Sequence, residues 1–322
     1  MRTDLSRRDF LAVSAAGVSL AATGVRAAEP FYKTTLHKAV ILGADRMNEE
    51  TFKKLKDAGI EGFEARTVAV DEAKRARELA EKFGLRIHSV IGGGSVAGLR
   101  AAQAYGADAV LAPVGGCSAK PMPEPWEFDI KFDEASGHIT QLVARENEKF
   151  QGYIEAHNRS MDVVRESIKK LLPVAEETQV AIALENVWNN WCVRPELYNW
   201  VVASFNSPWV KAYFDVGNHV KYAGLLRGDK VEIAYPPEVW IRIFGPRLAK
   251  VHVKDYQLNA DGKGGNWAAI GQGSVNWPVV RKALDDVGYN GWLTDETGLG
   301  WPDLSNRLDR IIAGEPPIPS GK

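Results

Sequence analysis

The chain has 322 residues, 45% of them hydrophobic and 25% charged, with 40 basic against 41 acidic side chains. A formal net charge of −1 supplies no basic field for nucleic acid or an anionic membrane surface. Two cysteines exclude a disulfide-dense scaffold and a zinc site built wholly from thiolates.

Ser6-Arg7-Arg8-Asp9-Phe10-Leu11 is a twin-arginine pattern, and a small, apolar run over residues 11–25 follows it. That run is too short and too rich in Ala, Gly and Ser for a membrane-spanning helix. Val25-Arg26-Ala27 supplies small residues just before Ala28, so residues 1–27 read as a signal peptide and 28–322 as one folded domain. Such a signal is read by a receptor that exports folded proteins. It points to a periplasmic or otherwise exported protein, free of the membrane once cleaved.

From there short β-branched, apolar runs alternate with amphipathic stretches. The spacing predicts strands at 38–43, 62–66, 86–91, 109–113, 180–186, 212–216, 249–253 and 291–295. Helices are predicted between and after them, at 49–58, 71–83, 96–105, 159–177, 195–205, 237–244, 278–287 and 304–312. The phrases DAGIEG, KFGLRI, AYGADAV and DVGYNGW each carry a glycine where a helix would end in a left-handed residue. Asn48, Asp71 and Ser95 stand at the N-cap positions. This alternation has the count and length of a single (β/α)8 TIM barrel. A doubly wound sheet would more often carry a Gly-rich dinucleotide turn after its first strand, where ILGADRMNEE has none. The IGGGS run at 91–95 lacks that spacing and is at most a weak anion-loop signal. Residues 114–151 and 256–277, after the fourth and seventh strands, exceed ordinary loop length. Both fall on the face where barrels place their chemistry, as lids or walls.

The C-terminal ends of barrel strands point into one mouth, so polar residues there converge although distant in sequence. For strands five to eight that position reads Glu185, Asp215, His252 and Glu296, each ending an apolar run in which an unpaired charge would be costly. Three carboxylates and one imidazole form an oxygen/nitrogen set suited to one divalent ion. Mn²⁺ is the first choice, with Mg²⁺, Co²⁺ or Zn²⁺ open. His88 and Glu64, on strands three and two, are further candidates for substrate contact, as is Lys254, although each has an equally ordinary structural reading. Trp126, Trp188, Trp191 and Trp267 fall in loops of the same face and suit the apolar face of a sugar, with Trp188 the one assigned to substrate. Cys117 and Cys192 lie in loops after neighbouring strands, which leaves a disulfide between them open.

LENVWNN, YFDVGN, KVHVKD, GQGSVNWPVVRKAL and GYNGWLTDE together resemble the sugar phosphate isomerase/epimerase family with the xylose-isomerase-like barrel. Its relatives include the tagatose/psicose 3-epimerases, and the resemblance spans residues 163–296. It implies Glu185, Asp215, His252 and Glu296 as metal ligands. Glu185 and Glu296 would also be the acid and base that move a proton beside a carbonyl through an ene-diolate. A substrate-touching histidine of the epimerases aligns with Asn218, beside His219, and their arginine after the strand-seven histidine is replaced by Lys254-Asp255. The expected substrate is a small carbohydrate. The export signal and the lack of an Arg/Lys cluster argue for an unphosphorylated sugar or keto-sugar. A keto-glycoside lyase or hydratase working by β-elimination, and an exported sugar-binding protein without catalysis, are the alternatives. A homo-oligomer is left open.

Overall fold

The computed structural model describes residues 32–112, 114–227 and 230–318. The expected signal peptide at 1–27 lies outside them. Eight parallel strands close a barrel in chain order: β1 Leu36–Ile41, β2 Gly62–Arg66, β3 Arg86–Ile91, β4 Ala109–Ala112, β7 Ala181–Glu185, β8 Val210–Asp215, β11 Leu248–Val253 and β14 Gly291–Asp295. The remaining strands form antiparallel hairpins: β5 Phe128–Phe132 with β6 Ile139–Val143, β9 Gly224–Arg227 with β10 Lys230–Ile233, and β12 Asp255–Leu258 with β13 Gly265–Ala268. All of them leave the C-terminal ends of barrel strands. The hairpin after β8 had no counterpart among the sequence expectations.

The α-helices among the described residues are α1 Glu49–Asp57, α2 Val70–Lys82, α3 Val96–Tyr105, α4 Gln151–Thr178, α5 Pro195–Ala203, α6 Pro237–Phe244, α7 Trp277–Asp286 and α8 Trp301–Ala313. Local chemistry sets many of their ends. Asn48 Oδ1 accepts from Thr51 N at 3.0 Å, and Ser95 Oγ accepts from Gly98 N at 3.0 Å. Asp71 is not a cap: α2 starts one residue earlier, and Asp71 sits in its first turn, where a negative charge suits the helix dipole. Gly59, Gly84, Gly106 and Gly288 close their helices at φ of 78°, 65°, 74° and 71°, a region a side chain resists. Helix α4 begins at 151, ahead of its predicted start at 159. Gly152 and Asn158 weaken the helical signal there, while burial of Tyr153, Ile154 and His157 supplies what propensity lacks.

The main core lies between the barrel and its helices. Phe52 and Leu55 of α1, Leu197 and Val201 of α5, and Leu304 and Leu308 of α8 are all buried there. Each such side chain contributes about 1.5–3 kcal/mol. Inside the barrel, β4, β7 and β8 supply a small apolar cluster of Ala109, Leu111, Ala181, Ala183 and Tyr213. The other half of the interior is polar. His88 stacks on Trp292 with ring centroids 4.6 Å apart, and Lys250 Nζ pairs with Asp108 at 2.6 Å. Gly62 opens β2 because a Cβ there would lie 2.5 Å from the Trp292 ring. In the IGGGS run, Gly93 N donates to Leu111 O of β4 and Ser95 N to Gly93 O, so one donor ties the loop to the barrel and the other serves the loop itself.

Candidate metal centre

The two-residue pleat sends alternate side chains of each strand into the barrel. On β8 that is Tyr213 and then Asp215; on β7, Ala183 and then Glu185. His252 stands in register with Asp215 on one side and Thr294 on the other. Glu296 follows the last residue of β14 and reaches the same level. Glu185, Asp215, His252 and Glu296 thus each offer one ligand atom, all lying within 4.8 Å of one another.

The cluster is held from several sides. Asn186 clamps the end of β8, donating to Asp215 O at 2.9 Å while its Oδ1 accepts from Asp215 N at 2.7 Å. Asp215 Oδ1 accepts from Gly217 N and Asn218 N at 2.8 and 2.7 Å, which leaves Oδ2 buried without a hydrogen bond. Gly217 is required at this turn: a Cβ would lie 2.8 Å from Lys254 O. His252 Nδ1 lies 2.9 Å from Glu185 Oε1 and 3.7 Å from Glu296 Oε1. The Lys254 ammonium lies 3.2 Å from Asp215 Oδ2, outside hydrogen-bonding geometry. The ammonium pairs with Glu296 Oε2 and donates to Asn218 Oδ1 at 3.3 Å.

The charges respond to this crowding. Burial pushes Asp215 up to about 6, although Lys254 pulls it the other way. Burial also opposes charge on His252, yet Glu64 and Glu185 outweigh it and raise its pKa well above the usual imidazole range. On Lys254, burial works downward and the carboxylates of Asp215 and Glu296 prevail, raising it. Glu296 is lowered: burial opposes its charge, but His252 and Lys254 favour it more strongly. Three carboxylates round one imidazole, with a buried carboxylate oxygen free of hydrogen bonds, fit a hard or borderline divalent cation.

Other expected site residues take different places. Trp188 is in the mouth: its Nε1 donates to Asn218 O, and its ring stacks on Trp267 at 4.1 Å beside Tyr256. Asn218 is there too, through Lys254. His219 is not. Its ring packs on Phe214 and on Trp240 of α6, on the helix side of β8. His88 and Glu64 face the barrel interior, one layer below the ligand cluster. His88 Nε2 lies 3.2 Å from Thr294 Oγ1. Glu64 is fully enclosed beneath His252. Trp191 is buried against His157 and does not face the mouth. Cys117 and Cys192 are buried free thiols, so the disulfide left open by the sequence is not formed.

Sequence reasoning passed over Asn186 and Tyr213. The signal for Tyr213 was its position two residues before Asp215 on an inward-facing register. It also passed over a cavity of about 630 Å³ beside Glu296, bounded by Ile41, Arg46, Leu299 and Trp301. There the Arg46 guanidinium lies 4.9 Å from the Trp301 ring centre.

Similar folds are found among solved structures. A D-tagatose 3-epimerase-like protein superposes with a TM-score of 0.58 at 16% identity, covering 86% of this chain and 97% of its own. The 3-keto-D-glucoside 4-epimerase of E. coli gives 0.56 at 14%, covering 87% and 99%. Mannonate dehydratase from Streptococcus suis serotype 2 gives 0.58 at 13%, covering 90% and 100%. At these identities the likeness is one of fold. No curated protein matches the chain in sequence. No helix among the described residues is long and apolar enough to cross a membrane. The family model described as xylose isomerase-like TIM barrel matches residues 52–307, and the chain belongs to that family.

Proposed function

We propose that the protein is a divalent-metal-dependent isomerase or epimerase of an unphosphorylated sugar or keto-sugar. The observation that carries this reading is the convergence of Glu185, Asp215, His252 and Glu296 from successive barrel strands within 4.8 Å. A bound divalent ion would act as a Lewis acid on a substrate carbonyl and its neighbouring hydroxyl. Glu185 would take the proton from the carbon beside that carbonyl, and Glu296 would return one to the substrate. Which carbon or face receives it distinguishes isomerisation from epimerisation. Lys254, held by Asp215, Glu296 and Asn218, sets a positive charge where negative charge develops on substrate oxygen. Trp188 and Trp267, stacked with Lys221 and Lys254 against their rings, border the substrate, and the cavity reaching from Glu296 to Trp301 receives the rest of the ligand. The twin-arginine motif of residues 6–11 supports an exported protein and hence a free sugar as substrate.

Lys254 also favours a second reading. An ammonium paired with one of the two proton-transfer carboxylates suits protonation of a departing glycosidic oxygen, so β-elimination of the aglycone from a keto-glycoside uses the same residues.

Metal analysis of the purified protein, with Glu185→Gln beside it, tests both. We expect about one divalent ion per chain, lost in the variant. We also expect solvent deuterium to enter a keto-sugar at the carbon beside its carbonyl. Retained sugar binding with neither metal nor exchange would replace this reading by that of a sugar-binding protein.

A further inference from the structure

Glu64 is a carboxylate with no solvent exposure, placed in the middle of β2 and facing the barrel interior. A charge buried this deeply is tolerated only with strong partners, and it has two. Tyr213 OH donates to Oε1, and His252 Nε2 lies 3.1 Å from Oε1 and 3.3 Å from Oε2. The other nitrogen of the same ring, Nδ1, faces Glu185 and Glu296 in the ligand cluster. The two edges of the imidazole therefore have different tasks, one toward the cluster and one toward the carboxylate beneath it.

We propose that Glu64 is the positioning residue of the metal centre, holding the Nε2–H of His252 so that the Nδ1 lone pair is presented to the cation. The inference rests on the metal-centre reading above. A neutral imidazole carries one N–H, and a ligating nitrogen cannot keep it. An ionised carboxylate only accepts, so at Nε2 it fixes the proton there and fixes the ring plane with it. Tyr213 holds the carboxylate in turn, and its ring lies 4.5 Å from that of His252. Glu64 also adds negative charge behind the ligand, which makes Nδ1 a better donor toward a dication. A mere packing role would not require a carboxylate at this point. An uncharged side chain of similar shape would fill the space without the desolvation cost.

The test titrates Mn²⁺ into the chelator-stripped full chain by calorimetry, for wild type, Glu64→Gln, Glu64→Asp and Tyr213→Phe, with unfolding of each metal-free protein beside it. We expect Glu64→Gln to weaken Mn²⁺ binding about 10–100-fold while the metal-free protein still unfolds cooperatively. Glu64→Asp should recover part of the loss, and Tyr213→Phe should lose less than Glu64→Gln. In ¹⁵N-histidine NMR of the wild type loaded with Zn²⁺, Nε2 should carry the proton and Nδ1 the metal. That readout needs no variant and stands even where Glu64→Gln fails to fold. Wild-type affinity in Glu64→Gln, or metal on Nε2, would overturn the proposal while leaving the metal centre intact. A wild type that takes up no divalent ion would overturn the metal reading and this inference with it.

Discussion

His219 is buried, and neither of its ring nitrogens has a hydrogen-bond partner among the described residues. Burial lowers its pKa to about 3. In the unfolded chain the imidazole titrates near about 6.5. Between those values the unfolded state binds a proton that the native state refuses. Stability is therefore fully present above the unfolded pKa and is lost as pH falls below it, by up to about 1.4 kcal/mol per pH unit. Urea unfolding of the wild type between pH 6.5 and 4.5 should contain this contribution alongside those of His157, which burial lowers to about 4, and His88, which burial lowers as well. His219→Leu, which fits the contacts with Phe214 and Trp240, should flatten the slope by about that amount, and an unchanged slope would mean that the buried ring is not held neutral. The four residues that converge at the barrel mouth were legible in sequence because each stands at the end of an apolar strand. His219, adjacent to Asn218, was not: only the path of the turn after β8 sets which neighbour faces the mouth.

Asp255 organises the excursion after β11. Its carboxylate accepts from Tyr256 N at 2.9 Å, Gly271 N at 2.8 Å, Val275 N at 3.3 Å and Trp277 Nε1 at 3.1 Å. One buried side chain thus ties the base of the β12–β13 hairpin to the start of α7, and through the hairpin it places Trp267 over Lys254 at 4.9 Å. Asp255→Ala would strand several donors at once. We expect a loss of about 2–4 kcal/mol in unfolding free energy and faster proteolytic cleavage of the hairpin tip at 259–264. An unaltered cleavage rate would show that the hairpin holds without it. The unusual length of 114–151 and 256–277 was readable from the sequence, whereas their hairpins were not, since antiparallel pairing depends on cross-strand partners that a linear pattern does not specify. For β9 and β10 the sequence did hold a signal, the Gly228-Asp229 pair between two β-prone runs.

Closure of the barrel joins the beginning of the domain to its end through β1 and β14. Arg281 of α7 secures that seam: it donates to Thr34 Oγ1 and Thr34 O, both at 2.8 Å, and to Ile312 O at 3.0 Å. Its guanidinium also lies 3.8 Å from the Tyr32 ring centre. Arg281→Met would keep much of the volume and remove every one of these bonds. A drop of about 3 kcal/mol is expected, read as a lower urea midpoint at unchanged m-value. A variant as stable as the wild type would show that strand pairing alone closes the barrel.

The sequence by itself determined the alternation of strands and helices, the glycines that end the helices and the charged residues that end the strands. These are local consequences of backbone sterics and of a period-two burial pattern. Tertiary structure alone decided what each inward-facing polar residue does. Glu64 lies beneath His252, His88 lies against Trp292, and Lys254 lies among the carboxylates because of barrel register and depth, which depend on all eight strands together.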